Sequence, residues 1–313
     1  ITNSGELSFL SAPDYEIPSD VNSDNVYVLT VSVSDGAASD SESIEVTVTD
    51  VFDGRVVDGP ISGAEVTVIT SGDTTITDNT GYFAFPSLIT SAGQQMTVSG
   101  GTDSFTGNAL PDLFLTATIV GSDAQSVNIN AITTVLARVS GNDEAQQVLS
   151  SLSVDYSPSD FGKNDIWALA EDGDTAAENA QRVNFQLAVL FQTLQVVVGD
   201  GAGVSASDVT LAVATAVSDV ALSSEAPLSL AREAVLRDVI ADTLLSLAQT
   251  IPAATVLDPL VTALADANTI LSDNDFEPTS ELARGATSAV QTAFQAAVNS
   301  LIADGGTEDG RTT

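Results

Sequence analysis

The chain of 313 residues has no cysteine and no histidine, and its only lysine is Lys163. Without cysteine there are no disulfides, no thiol catalysis, no zinc–thiolate sites and no iron–sulfur clusters. Without an imidazole base, the usual Ser, Cys or Thr nucleophile arrangements are excluded as well. Positive charge is nearly missing: 8 Lys and Arg stand against 43 Asp and Glu, for a formal net charge of −35. A field of that sign repels phosphate backbones and anionic bilayers, so neither nucleic acid nor membrane is expected as a partner. Aromatic residues make up only 5% of the chain, with a single Trp, Trp167, which is sparse for the stacking platforms of a polysaccharide hydrolase. Carboxylate pairs of the glycosidase kind cannot be chosen by spacing among so many acids. No uninterrupted apolar run of about 18 residues is present; the most apolar stretch, Val183 to Val198, is broken by Asn184, Gln186, Gln192 and Gln195. No secretory leader stands at residue 1. The opening "ITNSGELSF" and the closing "DGGTEDGRTT" read as parts of a longer polypeptide.

What is present is a folded chain. Hydrophobic residues reach 43%, too many for acidity to signal disorder, and the length suits two or three domains with cores of their own. Residues 1–51 alternate with period two through "GELSFL", "VYVLTVSVSDG" and "SIEVTVTDV". Residues 52–127 continue with "GRVVDG", "AEVTVIT", "DTTITD", "GYFAFP", "QQMTVSG", "LFLTATIV" and "QSVNINA", separated by turns at Asp58-Gly59, Ser71-Gly72 and Asn79 to Gly81. That spacing predicts a small antiparallel sandwich. From residue 128 the period becomes 3.6, and residues 128–304 predict an Ala-rich bundle of about six or seven helices around Val183 to Val198. Thr175 with Glu178 reads as a capping box, and Pro278 to Ser280 as the start of the last helix. Residues 305–313 form a polar tail. The expected fold class is thus multidomain α+β, with antiparallel β-sandwich modules followed by an all-α helical bundle.

The acids are crowded at "DYEIPSDVNSDN", residues 14–25. Several short oxygen-bearing side chains at alternate positions are the donor set of a hard cation such as calcium. An EF-hand is not implied, because Asn25 stands at its turn glycine and Val31 at its bidentate Glu. A second reading is an Asx-rich turn that caps strands and stays solvated. Glu171, Asp172 and Asp174 form a smaller acidic group, better explained by a helix N-terminus. "GDGAGVSASD", residues 199–208, follows a helical pattern and reads as a turn, not a phosphate loop.

The segments "GELSF", "APDYE", "DVNSDN", "VYVLTVSVSDG" and "IEVTVTDV" resemble, in this order, the second half of a bacterial cadherin-like repeat of the kind found in large surface adhesins. The resemblance covers about 50 residues. It implies calcium held by Asp14 and Glu16 of a D-x-E pair, by Asp20, Asn22 and Asp24 of a D-x-N-x-D loop, and by Asp50 near the linker. The linker "DVFDG" departs from the family pattern, which has Asn and a further Asp-Asn pair there. Residues 52–127 resemble prealbumin-like or carboxypeptidase-regulatory sandwiches through Gly54, Val56, Asp58-Gly59, Gly63, Ala64, Val66, Thr77, Asp78, Gly81 and Phe83. Such modules are more often spacers than enzymes.

These resemblances imply a secreted or cell-surface protein without enzymatic activity: a calcium-stiffened structural or adhesive segment. The expected partners are other copies of the chain, neighbouring domains of the same surface protein, and surface glycans or proteins. Two further classes stay open, a subunit of a self-assembling filament or surface layer completed by strand exchange, and a glycan-binding or carbohydrate-active module.

Overall fold

The computed structural model describes residues 5–10, 13, 15, 18–86, 92–120, 126–198, 203–249 and 254–273. It divides into two compact units, Ile1–Val51 and Phe52–Thr313.

The first unit is a hairpin of β1 (Val26–Ser34) and β2 (Ser39–Thr47), paired antiparallel with Leu29 opposite Ile44 and Tyr27 opposite Val46. Asp35 closes its turn by accepting the N–H groups of Ala37 (2.9 Å) and Ala38 (2.8 Å). The "GELSFL" stretch forms no strand among its described residues, although Phe9 packs edge-on against Tyr27 with ring centroids 5.0 Å apart. One face of the hairpin carries Tyr27, Leu29, Ile44 and Val46, each only half-buried. No apolar residue of this unit is buried among those described.

The second unit begins with β3 (Phe52–Val57), β4 (Ile61–Ser62), β5 (Glu65–Val68), β6 (Thr74–Ile76), β7 (Tyr82–Phe85), β8 (Gln95–Ser99), β9 (Thr102–Asp103), β10 (Phe114–Thr118) and β11 (Ser126–Asn130). A four-stranded sheet runs β10-β8-β5-β6, and a three-stranded one runs β11-β3-β7. Val66, Val68, Phe83, Phe85, Met96 and Val98 point inward at every second position, as the alternation predicts. The expected all-antiparallel order fails at one ladder: β11 pairs with β3 in parallel, Val127 beside Gly54 and Ile129 beside Val56. A parallel pair cannot be closed by a tight turn, and here most of the β region intervenes between the two strands. Gly54 is required there, since a Cβ would lie 1.9 Å from the Val127 carbonyl oxygen.

Eight helices follow among the described residues: α1 (Ala131–Leu136), α2 (Asn142–Ser151), α3 (Pro158–Lys163), α4 (Ile166–Glu171), α5 (Thr175–Val198), α6 (Ala206–Ser223), α7 (Glu233–Ser246) and α8 (Ala254–Leu271). The short α3 and α4, six residues each, span less than two turns and are too brief to register a helical period. The helix expected after Pro278 lies outside the described residues. The start of α5 differs from the expected capping box: Asp174, not Thr175, accepts the Ala177 N–H at 2.8 Å, and Glu178 pairs instead with Arg182 one turn on. Asp174 in the acidic group is therefore a helix cap. The amphipathic α6 is long and apolar enough to cross a membrane by length and composition, but Val209, Val213, Val217 and Ala221 are buried in this unit's core.

Sheets and helices of the second unit share one core. The V-N-I-N alternation of β11 would suit a strand with one wet face, yet both faces are covered. Asn128 donates to the carbonyls of Phe161 and Asn164 around α3. Asn130 caps α1, its side chain accepting from Thr133 N–H while the Thr133 hydroxyl takes the Asn130 N–H. Asn184, 1% exposed at the middle of α5, accepts from Ala131 N–H at 2.8 Å and donates to Val57 C=O at 3.1 Å. One amide thus ties the end of β3 and the start of α1 to the central helix. Asn184→Ala leaves two buried backbone groups unpaired, and we expect a loss of roughly 2 to 4 kcal/mol. Equal denaturation midpoints for the variant and the parent would contradict this reading.

Candidate functional site

The acidic loop of the first unit is built around Asp20. Its carboxylate accepts the N–H groups of Asn22 (3.1 Å), Asp24 (3.1 Å) and Asn25 (2.9 Å). Desolvation acts to raise the Asp20 pKa, but these backbone donors outweigh it and hold the group below the usual carboxylate range. Asp24 accepts from Val26 N–H at 2.9 Å and from the Asn22 side-chain amide at 2.6 Å. Ser23 and Asn25 sit at φ 58° and 63°, the left-handed region that a tight loop forces and that Asn tolerates well.

Asp20, Asn22 and Asp24 are therefore brought together as the spacing suggests. Asp14 and Glu16 lie outside the described residues. Asp50 is placed at the same end of the hairpin, because Val48 N–H donates to Asn25 C=O at 2.9 Å and the chain reaches Asp50 two residues later. Among the described residues no three acidic side chains converge as a metal-binding group.

Among the described residues of this unit two oxygens lack a hydrogen-bond donor and are buried from solvent: Oδ1 of Asn25 and Oδ1 of Asp50. The Asn25 amide is oriented by its Nδ2, which donates to Tyr15 C=O at 2.9 Å. Asn25 is the residue that spacing did not single out as a donor. Its place at the turn-glycine position was the available signal, since an Asn in a left-handed turn turns its side chain back onto the loop. A buried acceptor without a donor is costly, about 1 to 3 kcal/mol, and hard oxygens of this kind fit a calcium ion.

A different acid stands out in the second unit. Asp58, between β3 and β4, is 6% exposed and lines a cleft of about 540 Å3 between the β9–β10 loop and the helices α5 and α6. Its Oδ2 accepts from Gln192 Nε2 of α5 at 3.0 Å, while its Oδ1 has no partner. Asp103 on β9 is also buried, its Oδ1 taken by the N–H groups of Phe105 (2.8 Å) and Thr106 (3.3 Å). Burial first, and the nearby Asp103 carboxylate second, push Asp58 up to about 7, against the lowering effect of Gln192. Sequence alone showed Asp58-Gly59 only as a turn.

No protein-family model, curated protein or solved structure matches this chain.

Asp58 gives a pH prediction. Its folded pKa lies above the unfolded value, so the unfolded chain releases this proton first and stability falls as pH rises, levelling off above about 7. We expect a decline of roughly 3 kcal/mol between pH 5 and pH 8 that Asp58→Asn removes. Parallel pH–stability curves for parent and variant would refute the assignment.

Proposed function

We propose that this chain is an extracellular structural or adhesive segment of a large bacterial surface or matrix protein, stiffened by calcium and without catalytic activity. The observation that carries the reading is the pair of buried, donorless oxygens, Asn25 Oδ1 and Asp50 Oδ1, at the end of the hairpin where Asp20, Asn22 and Asp24 gather. The cadherin-like spacing of those acids supports it. Calcium supplies charge to a loop whose carboxylates otherwise repel, and gives the buried oxygens a partner. Asp24, Asn25 and Asp50 would hold the ion, while Asp20 shapes the loop through its three backbone donors. In this reading the sheets of residues 52–127 act as a sandwich-type spacer, and the helices as a bundle that provides bulk or a contact surface.

The second reading, assembly by strand exchange, rests on a separate observation. The first unit buries no apolar side chain among its described residues, and a lone two-stranded hairpin is marginal in water. A strand donated by another copy would cover Tyr27, Leu29, Ile44 and Val46 and pair an open edge.

Calcium at a hundredfold excess over its Kd slows amide exchange across Val26–Ser34 about a hundredfold relative to chelator, at fixed high ionic strength. Asp50→Ala abolishes that protection without weakening the chelated form, because it removes a carboxylate with an unpartnered oxygen. Identical exchange with and without calcium would sink the calcium reading. For strand exchange, sedimentation should show mass rising with concentration; a constant monomer mass in saturating calcium would rule it out.

A further inference from the structure

The cleft beside Asp58 has the volume of a small-molecule site, within the usual range of about 300 to 1,000 Å3. Its walls are chiefly apolar, with Leu110 and Leu113 from the β9–β10 loop and Phe191 from α5. The polar groups are few and ordered. Gln192 donates to Asp58, and Gln195 donates to the Thr210 hydroxyl of α6 at 2.9 Å. Both glutamines are half-buried, and Gln192 lines the cleft beside the more deeply buried Asp58. Among the described residues the lining includes two carboxylates, Asp58 and Asp112, and no Lys or Arg.

The geometry points to a binding site for a small amphiphilic cation, an alkyl- or arylalkyl-ammonium whose apolar body lies on Leu110, Leu113 and Phe191 while its head group displaces the Gln192 amide from Asp58. Charge complementarity selects this occupant. A buried carboxylate with one unpartnered oxygen, in a wall without basic side chains among the described residues, gains from a cation and would repel an anion. A bare divalent ion is a poorer fit, because it needs several converging oxygens and the cleft offers chiefly carbon. The half-buried Gln192 can yield its place at little cost, since its amide returns to water.

Among the described residues the titratable groups around Asp58 are Asp103 on β9 and Asp112 at the cleft, and α5 and α6 contribute only Gln192, Gln195 and Thr210 to the polar lining. Ammonium pairing therefore requires Asp58 itself to lose its proton, which makes affinity depend on pH through that group.

The test is calorimetric titration of the full chain with octylammonium and with 1-octanol, in chelator and at high ionic strength so that the net charge of −35 is screened. At pH 8 octylammonium should bind at least about tenfold more tightly than octanol, and its affinity should fall about tenfold at pH 6 as Asp58 takes up its proton. Asp58→Asn should erase the preference for the amine. Ala206→Leu, which narrows the cleft without touching Asp58, should weaken both ligands, and it decides the matter if the first variant does not fold. Equal binding of amine and alcohol, no binding of either, a preference that survives Asp58→Asn, or affinities unmoved by Ala206→Leu would each overturn the proposal.

Discussion

The structure depends on how carboxylates are neutralised when cations are scarce. With 8 basic residues for 43 acids, side-chain ion pairs can serve only a few of them, and backbone N–H groups serve several more. Asp20 takes three such donors, Asp35 two, Asp78 those of Thr80 and Tyr82, Asp103 those of Phe105 and Thr106. Asp165 and Asp174 cap the helices α4 and α5. Acids are thereby concentrated where the chain turns or a helix begins, the places with unpaired N–H groups to give. Charge and topology are set by the same bonds.

That arrangement makes the exceptions informative. Asp50 and Asp58 each keep one buried oxygen without a donor, and Asn25 does the same beside the Asp20 loop. In our proposals the oxygens of Asp50, Asn25 and Asp58 are acceptors open to a cation from outside. The two places differ in surroundings. Around Asn25 the loop carries Asp20, Asn22 and Asp24, short oxygen-bearing side chains with the chemistry of a hard metal ion, which is why calcium is our proposal there. Beside Asp58, beyond Gln192 and Asp103, the cleft is lined chiefly by Leu, Phe, Val and Ala, which favours an organic cation. The first unit also has no buried apolar side chain among its described residues, so an ion at its loop would contribute a larger fraction of its stability than in a unit with a full core.

Much of this was legible in the residues. Period two located β1, β5, β7 and β8, and period 3.6 located α5 to α8, because in these elements only burial on one face, or all round in α5, decides which residues are apolar. The pattern failed where polar side chains serve inside the fold. Asn128, Asn130 and Asn184 look like surface residues in the sequence, yet each amide is spent on buried backbone groups that only the tertiary structure brings near. The parallel β3–β11 ladder was equally hidden, since nothing local distinguishes the two pairings. At the acidic loop, spacing identified Asp20, Asn22 and Asp24 but not the different tasks they hold. Asp20 organises the backbone, while the donorless oxygens belong to Asn25 and Asp50.

The central claim is that these donorless oxygens are places for cations, and the most direct measurement is a crystal structure of the chain grown in saturating calcium, with the ion located by anomalous scattering. The account predicts a calcium ion about 2.3 to 2.6 Å from both Asn25 Oδ1 and Asp50 Oδ1. A structure under those conditions in which both oxygens accept hydrogen bonds from protein or water, with no ion beside them, would contradict it.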